Sequence, residues 1–545
     1  MGVLRGHLDR ADRRELAGWV QDTAQPQQPV ALRILANGVL LARLVADRPR
    51  ADLAAAGLGG GRCGFRLRIP HGLSPLTPQA IQIQRAADGR EIPGSPVLLA
   101  APAPASGAAL HAWLEAALAA AGSATDAPAQ ARLARFLLAR IDDLIAARPE
   151  QAAASGWPEV LAALRARAAG TTAPPAAAGA RRALFLDQVV PTPDRDGGSN
   201  AAIGHIGALQ RLGYEVTFVA AADMARRGGY TEALEAQGVR CCTSPAYASV
   251  EEVLRRHAGD FGLIYLHRLA TAAQYGVLAR THCPRARLVY SVADLHFLRQ
   301  QRQAAVEDRP DLAAHSQQTR LAECLAAAHA DAVITHSPVE AELLRRAVPA
   351  ARVHVVPWPL TPQPQRRPFA ERHGIAFIAG YGHPPNRDAA HWLVRTILPL
   401  LRAHNPAIEC LLVGSDLPPD IAALAGDGVI VLGHVADLAT VFERVRLTVA
   451  PLRYGAGLKQ KVVASLAAGL PCVCTPIAAE GLALPGALAA HVAGDAAGFA
   501  RSVATLHDDA AQHAAAAEAG LRLIWRDFAA PRVDALLRAA VAGAG

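Results

Sequence analysis

Hydrophobic and polar positions follow three different rhythms along this chain. In the first hundred residues short strand-like runs carry alternation: Val30–Leu35, Val39–Val45, Phe65–Ile69 and Ala80–Gln84. Turn-forming pairs and triplets separate them, at Asn37-Gly38, Gly59–Gly61 and Asp88-Gly89. Period-two alternation between frequent turns predicts an all-β, sandwich-like domain over 1–101. Ala101–Pro104 closes that region, and 106–169 turns to helical spacing, with Leu133, Phe136, Leu137 and Ile141 on one face. The Thr/Pro/Ala-rich stretch 170–180 reads as a linker.

From Arg181 continuous apolar strands alternate with amphipathic helices, the grammar of a parallel sheet covered on both faces. Ala183–Val190, Glu215–Ala220, Leu263–Leu266, Leu288–Val292, Ala332–Thr335 and Val353–Val356 form one strand series, with a helix over Asn200–Leu212. The rhythm stops at Pro357-Trp358-Pro359 and the stretch Pro362–Pro368, then restarts. Ile375–Ala379, Cys410–Val413, Val429–Leu432, Leu447–Ala450 and Cys472–Thr475 form the second series. The expected fold class is α/β: two doubly wound units, 181–362 and 370–528, facing a cleft, with a final helix in 529–545. Ligands of such sheets bind beyond the carboxyl ends of the strands.

Composition narrows the function classes. At 545 residues with 52% hydrophobic content the chain is long enough for several cores. Its net charge of +8 comes from scattered arginines rather than a stripe, so nucleic acid is not an expected partner. A basic surface equally suits a diphosphate ligand or anionic headgroups, which leaves peripheral contact with a membrane surface open. Met1–Glu15 lacks the apolar stretch of a signal peptide, and Ala108–Ala121 is interrupted by His111 and Glu115. The expected location is cytoplasmic. The eight cysteines include no C-x-x-C pair, so buried free thiols are expected rather than a metal site.

Four segments at strand ends are candidates for chemistry. Pro451–Lys459 follows a strand and opens a helix. Gly455 and Gly457 allow close backbone approach, the new helix offers free N–H groups, and Lys459 adds positive charge, a combination suited to a diphosphate. A plain strand-to-helix turn is the alternative. Pro191–Asn200, with Gly197 and Gly198, makes a second glycine loop, with Ser199 or Asn200 available as helix cap. Asp294 and His296 sit beyond the strand Leu288–Val292, where an acid and an imidazole can orient a hydroxyl or accept its proton. His267 occupies a similar but weaker position. His383, Asn386 and Asp388 follow the strand at 375–379, either facing the cleft or capping the next helix. Ser337-Pro-Val-Glu340 fits a helix capping box and is assigned to structure.

In this order, Pro191–Asn200, Asp294–Arg299, Gly380–Asn386, Leu412–Ser415, Val431–Leu438, Pro451–Lys459 and Ala467–Gly481 resemble a GT-B-fold glycosyltransferase of the family 4 type over about 181–530. The resemblance implies two Rossmann-like domains and a retaining transferase that takes a sugar from a nucleotide-sugar donor. The donor is a substrate, and neither cofactor nor metal is implied. Gly433, His434 and Val435 would lie near the base, and Arg453, Gly455, Gly457 and Lys459 on the diphosphate. Gly197, Gly198 and His383 would contact the donor, with Asp294 or His296 as catalytic groups near the transferred sugar. The acceptor would be a glycan, a lipid-linked carrier or another hydroxyl compound, as in bacterial glycan biosynthesis. Such folds send their last helix back to the first domain. Two glutamates that many members carry around the glycine loop correspond here to Ala456 and Ala464, and an arginine after the first strand of the second domain is replaced within Tyr381–His383. A non-catalytic scaffold or glycan-binding protein is therefore the alternative, and a sugar-nucleotide epimerase a third reading. Residues 1–101, with Gly18-Trp19 and Asp47–Leu53, look like a β module found beside bacterial glycosyltransferases.

Overall fold

A computed structural model describes residues 2–69, 73, 79–100 and 181–542. The helical connector expected over 106–169 and the linker at 170–180 lie outside the described residues.

Alternation in the N-terminal region builds eight strands. These are β1 (Leu4–Ala11), β2 (Glu15–Asp22), β3 (Val30–Ala36), β4 (Val39–Ala46), β5 (Arg48–Pro49), β6 (Arg62–Arg68), β7 (Gln79–Arg85) and β8 (Val97–Leu99). They form two antiparallel four-stranded sheets, ordered β1-β2-β6-β5 and β4-β3-β7-β8. Period two places Leu16, Leu32, Ile34, Ile81 and Ile83 in the shared core. Asn37 and Gly38 both take positive φ, at 50° and 77°, the geometry of the tight turn joining β3 to β4. The module rests on the next unit: Arg43 N donates to Ala222 O at 3.0 Å, and Gln274 Nε2 to Leu41 O at 3.1 Å.

The second region forms β9 (Arg182–Asp187), β10 (Glu215–Ala220), β11 (Arg240–Cys241), β12 (Leu263–His267), β13 (Arg287–Ser291), β14 (Ala332–Thr335) and β15 (Val353–Val355). All are parallel, in the order β11-β10-β9-β12-β13-β14-β15. The third region forms β16 (Ile375–Ile378), β17 (Cys410–Val413), β18 (Val429–Gly433), β19 (Leu447–Ala450) and β20 (Cys472–Cys474), parallel in the order β18-β17-β16-β19-β20. Both sheets reverse direction of growth beside their first strand, between β9 and β12 and between β16 and β19. A crevice opens at such a reversal because the flanking helices lie on opposite faces.

The chain crosses between these units twice, at neighbouring points. Leu360 N donates to Phe528 O at 2.8 Å, and Trp358 meets the Phe528 ring edge-on. The final helix, Ala530–Val541, packs on the first parallel sheet rather than the second. Its Val533, Leu537, Ala540 and Val541 join the core around Ala183 and Phe185, and Arg211 makes a two-pronged contact with Asp534 at 2.8 Å. Val533, Leu537 and Val541, buried there, contribute about 1.5–3 kcal/mol each, which ties the last helix to the first parallel unit. No helix among the described residues is long and apolar enough to cross a membrane.

Candidate functional site

The carboxyl ends of both parallel sheets line one cleft of about 620 Å³. That volume lies in the range that encloses most of a small ligand.

After β9 the chain runs through Pro191–Asp196 into the helix Gly197–Arg211. The cap is neither Ser199 nor Asn200. Asp196 takes that role, accepting from Ser199 N at 2.9 Å, while the Ser199 hydroxyl donates back to the same carboxylate. The helix therefore starts three residues earlier than the apolar periodicity suggests, and Gly197 and Gly198 form its first turn. Both glycines are closely approached by side chains. A Cβ on Gly197 would come within 2.6 Å of Gln460 in the opposite unit, and one on Gly198 within 2.6 Å of the Arg268 guanidinium.

Arg268, at the end of β12, was not singled out by sequence. Its left-handed backbone (φ 72°) turns the guanidinium back over the glycine turn, between Asp187 at 3.1 Å and Asp196 at 3.2 Å. Burial pushes the Asp187 carboxyl up to about 6, against the pull of Arg268. Neighbouring His267 is fully buried and spends Nδ1 on Ser291 Oγ at 3.0 Å, a structural role beneath the cleft.

Beyond β13, Ala293 takes a left-handed backbone (φ 63°) that aims Asp294 into the cleft. His296 Nε2 lies 3.3 Å from Asp294 Oδ1, and Arg299 holds the other carboxylate oxygen. Burial opposes ionisation, but Arg299 and His296 outweigh it and hold the carboxyl below the usual range. Asp294 is thus a fixed anion and acceptor, unsuited to donating a proton near neutrality. His296 opens the helix His296–Glu307, whose first amides are capped by Glu323 rather than from within: His296 N donates to Glu323 Oε1 at 2.7 Å.

The second sheet supplies the opposite wall. His383 lines the cleft as the N-cap residue of the helix Pro384–Trp392, without a side-chain capping bond. Burial, with Arg299 nearby, pushes its imidazole down to about 4, so it stays neutral. Neither Asn386 nor Asp388 caps that helix. Asn386 Nδ2 donates to Gly380 O at 2.8 Å, and Asp388 accepts from Arg453 Nε at 2.9 Å. His434 reaches across the cleft to Asp194 at 3.2 Å, and Val435 lines the wall beside it.

Three of the residues expected at the donor are not among those that line the cleft. Arg453 is 43% exposed, engaged with Asp388 and outside the cleft lining. Gly433 and Gly457 also lie outside the lining. Gly433 accepts from Gly414 N at 2.7 Å to join the strand ends, and Gly457 abuts Asp294. Gly455, His434, Val435 and Lys459 do line it.

The lysines of the glycine loop divide their work. Lys459 is 8% exposed, and its ammonium donates to Ala456 O at 3.0 Å and Gly457 O at 2.5 Å. Burial pushes it down to about 8, with Glu480 and Glu340 opposing. It ties the loop to itself. Lys461, two residues on, lines the cleft and donates to the neutral oxygen of Asn386 at 2.8 Å, with the Phe377 ring 5.5 Å away. Burial and the adjacent Lys459 push it down to about 7. Sequence spacing pointed to Lys459; Lys461 sits where the helix turn presents it to the cleft. Ala456 is packed in the core of the first parallel unit, and Ala464 leaves open space in the lining. Among the described residues no group of three or more His, Cys, Asp or Glu is placed to hold a metal ion.

Two family models match this chain: a glycosyl transferase 4-like domain over 197–359 and glycosyl transferases group 1 over 372–509, together more than half its length. Solved structures are similar in fold. TarM superposes with a TM-score of 0.54 at 8% identity, covering 66% of this chain and 99% of TarM. A TarM variant from S. aureus in complex with Fondaparinux, alpha-GlcNAc-glycerol and UDP gives 0.53 at 7% identity, with 66% and 100% coverage. Alr3699/HepE of Anabaena in complex with UDP-glucose gives 0.51 at 16% identity, with 66% and 98% coverage. No curated protein matches the chain.

Proposed function

The chain belongs to the GT-B glycosyltransferases, and from that premise we propose that it transfers a sugar, with retention of anomeric configuration, from a nucleotide-sugar to a glycan or lipid-linked acceptor. One observation carries the reading. An ionised Asp294 faces a helix start bearing Lys461, across a cleft between two parallel sheets.

The donor's diphosphate lies at the start of the helix Gln460–Ala467, where free N–H groups and Lys461 meet negative charge. The base lies toward His434 and Val435. The sugar then points to Asp294, whose carboxylate accepts from its hydroxyls and stabilises positive charge developing at the anomeric carbon, while His296 holds that carboxylate in place. As the bond to the diphosphate breaks, Lys461 and the helix amides take up the leaving charge, while Arg268 and Arg299 keep the opposite wall from repelling it. The acceptor hydroxyl enters from the side of Gly197, Gly198 and Gln188; its oxygen bonds the anomeric carbon on the face the diphosphate leaves, and its proton passes to the departing phosphate oxygen. The nucleotide-sugar is consumed as substrate, and no cofactor takes part in this transfer. A lipid-linked acceptor would bring the protein to the inner membrane surface.

Support for a uridine nucleotide comes from similar folds that hold UDP-glucose in Anabaena Alr3699/HepE and UDP in the TarM variant. A thermal-shift panel of UDP, GDP, TDP and CMP and their sugars tests the reading, since ligand binding raises apparent stability. One nucleotide series should raise Tm, and its sugar should turn over. If no nucleotide or nucleotide-sugar shifts the protein, the reading fails. Binding without turnover to any acceptor would favour a non-catalytic scaffold.

A further inference from the structure

Glu340 belongs to no part of the cleft lining, yet it touches both units. It is fully buried in the helix Pro338–Ala347 of the first parallel unit. A capping box would turn its carboxylate back to the amide of Ser337, but that amide bonds Thr335 Oγ1 at 3.2 Å instead. Glu340 Oε1 accepts two N–H groups, Leu295 N at 2.8 Å from its own unit and Gly457 N at 2.8 Å from the other. Oε2 accepts from the Thr335 hydroxyl at 2.8 Å.

The two amides are not incidental. Leu295 directly follows Asp294, and Gly457 lies at the centre of the loop that leads into Lys459 and Lys461. The same junction is closely packed: a Cβ on Gly457, which has φ +68°, would stand 3.0 Å from Asp294 Cβ. Lys459 holds the loop from its other side through the carbonyls of Ala456 and Gly457. Arg302 adds a second bridge, donating to Gly455 O at 2.7 Å and to Glu480 at 2.6 Å.

We propose that Glu340 is a positioning residue which, through one shared oxygen, holds the Asp294 segment in register with the glycine loop when the two units are closed. The proposal rests on the donor-binding reading above. Opening the units strips the carboxylate of one of its donors inside a dry junction, so closure and placement of Asp294 form together. A buried acceptor that loses its donor is disfavoured by its own desolvation.

Amide hydrogen exchange on the full chain, without substrate, is the test. In the wild type the Leu295 and Gly457 amides are both protected. Glu340→Ala should raise exchange at both by at least about tenfold. Glu340→Gln should restore protection at both, because its carbonyl oxygen accepts the two N–H groups while its NH2 faces Thr335. Under saturating donor, kcat should fall in Glu340→Ala and recover in Glu340→Gln, with a smaller change in donor KM. Faster exchange confined to Leu295, or Glu340→Gln behaving like Glu340→Ala, overturns the proposal. If Glu340→Ala does not fold, an unprotected Gly457 amide in the wild type overturns it alone. Failure of every nucleotide-sugar to bind would sink the donor reading and leave these exchange results standing.

Discussion

The two walls of the cleft present their charge in opposite ways. On the first wall the central charges are paired in place: Asp294 with Arg299 and His296, and Arg268 with Asp187 and Asp196. On the second wall, beside His383 and His434, stand backbone amides at a helix start and Lys461, whose bonded partner Asn386 is uncharged. Alanines 456 and 464 leave that wall without a carboxylate of its own at those positions. The first wall is thus preorganised around a fixed anion, and the second keeps positive potential for an anionic ligand. Such a division suits a reaction in which positive charge develops on one partner and negative charge departs on another.

The largest test of this contrast is Asp294→Asn, which removes the fixed anion and keeps the shape. It should lower kcat roughly 10²–10³-fold while nucleotide affinity, measured by calorimetry, stays close to wild type. Loss of nucleotide binding with unchanged turnover at saturation would reverse the roles of the walls.

Next comes the lysine pair. Lys461→Met should weaken nucleotide diphosphate binding by about 1.5–3 kcal/mol, the cost of one charge-assisted contact. Lys459→Met should instead lower thermal stability, because that ammonium satisfies the loop carbonyls of Ala456 and Gly457. Burial and Lys459 hold Lys461 at about 7, so an anionic ligand selects its protonated form. Wild-type affinity should therefore fall as pH rises from about 7 toward 8.5, by at most about tenfold per pH unit, and that slope should vanish in Lys461→Met.

The walls should also part under acid. His383 and His513 in the second unit are pushed down to about 4 by burial, and His507 is lowered by the same cause. Such groups stabilise the fold above their unfolded value near 6.5, and that contribution is lost as pH falls through the folded value. The first unit carries lowered histidines too, His205 at about 3 with His267 and His336. It also carries Glu323 and Glu340, pushed up to about 7 by burial, and Asp187 at about 6. Carboxyls raised in this way stabilise fully below their unfolded value, and the effect is lost as pH rises through the folded one. Between pH 6.5 and 4 these opposing shifts offset each other in the first unit. Exchange-detected unfolding at pH 7, 5 and 4 should show the second unit losing protection first; equal loss in both would break the comparison.

The α/β fold and the all-β sheets were legible because each rests on a period that survives in local sequence: continuous apolar runs for buried parallel strands, alternation for the sandwich. The glycine loop at Gly455–Lys459 was legible for a similar reason, since strand, glycines and lysine are adjacent in sequence. What stayed hidden depends on tertiary orientation. Lys459 and Lys461 both line the cleft, and only the folded contacts show that the Lys459 ammonium is spent on loop carbonyls while Lys461 meets an uncharged partner. Arg268 enters through a left-handed backbone that no local pattern marks. Asp196 displaced Ser199 as cap because the carboxylate binds both the Ser199 amide and its hydroxyl. Glu340 looked like a local cap, since the second amide it binds lies 117 residues away in sequence.

Arg453 makes the smallest test and the one that separates sequence proximity from geometry. It lies within the glycine loop, two residues before Gly455, yet its side chain is 43% exposed and directed to Asp388 outside the cleft. An exposed pair of this kind contributes about 0.2–1 kcal/mol to stability, less at high salt. Arg453→Ala should therefore shift Tm slightly and leave nucleotide affinity unchanged at low and high ionic strength. A drop in affinity comparable to that of Lys461→Met would mean that the arginine swings into the cleft when the donor arrives. In that case the second wall gains its positive charge on binding, and the contrast with the preorganised first wall becomes one between fixed and recruited charge.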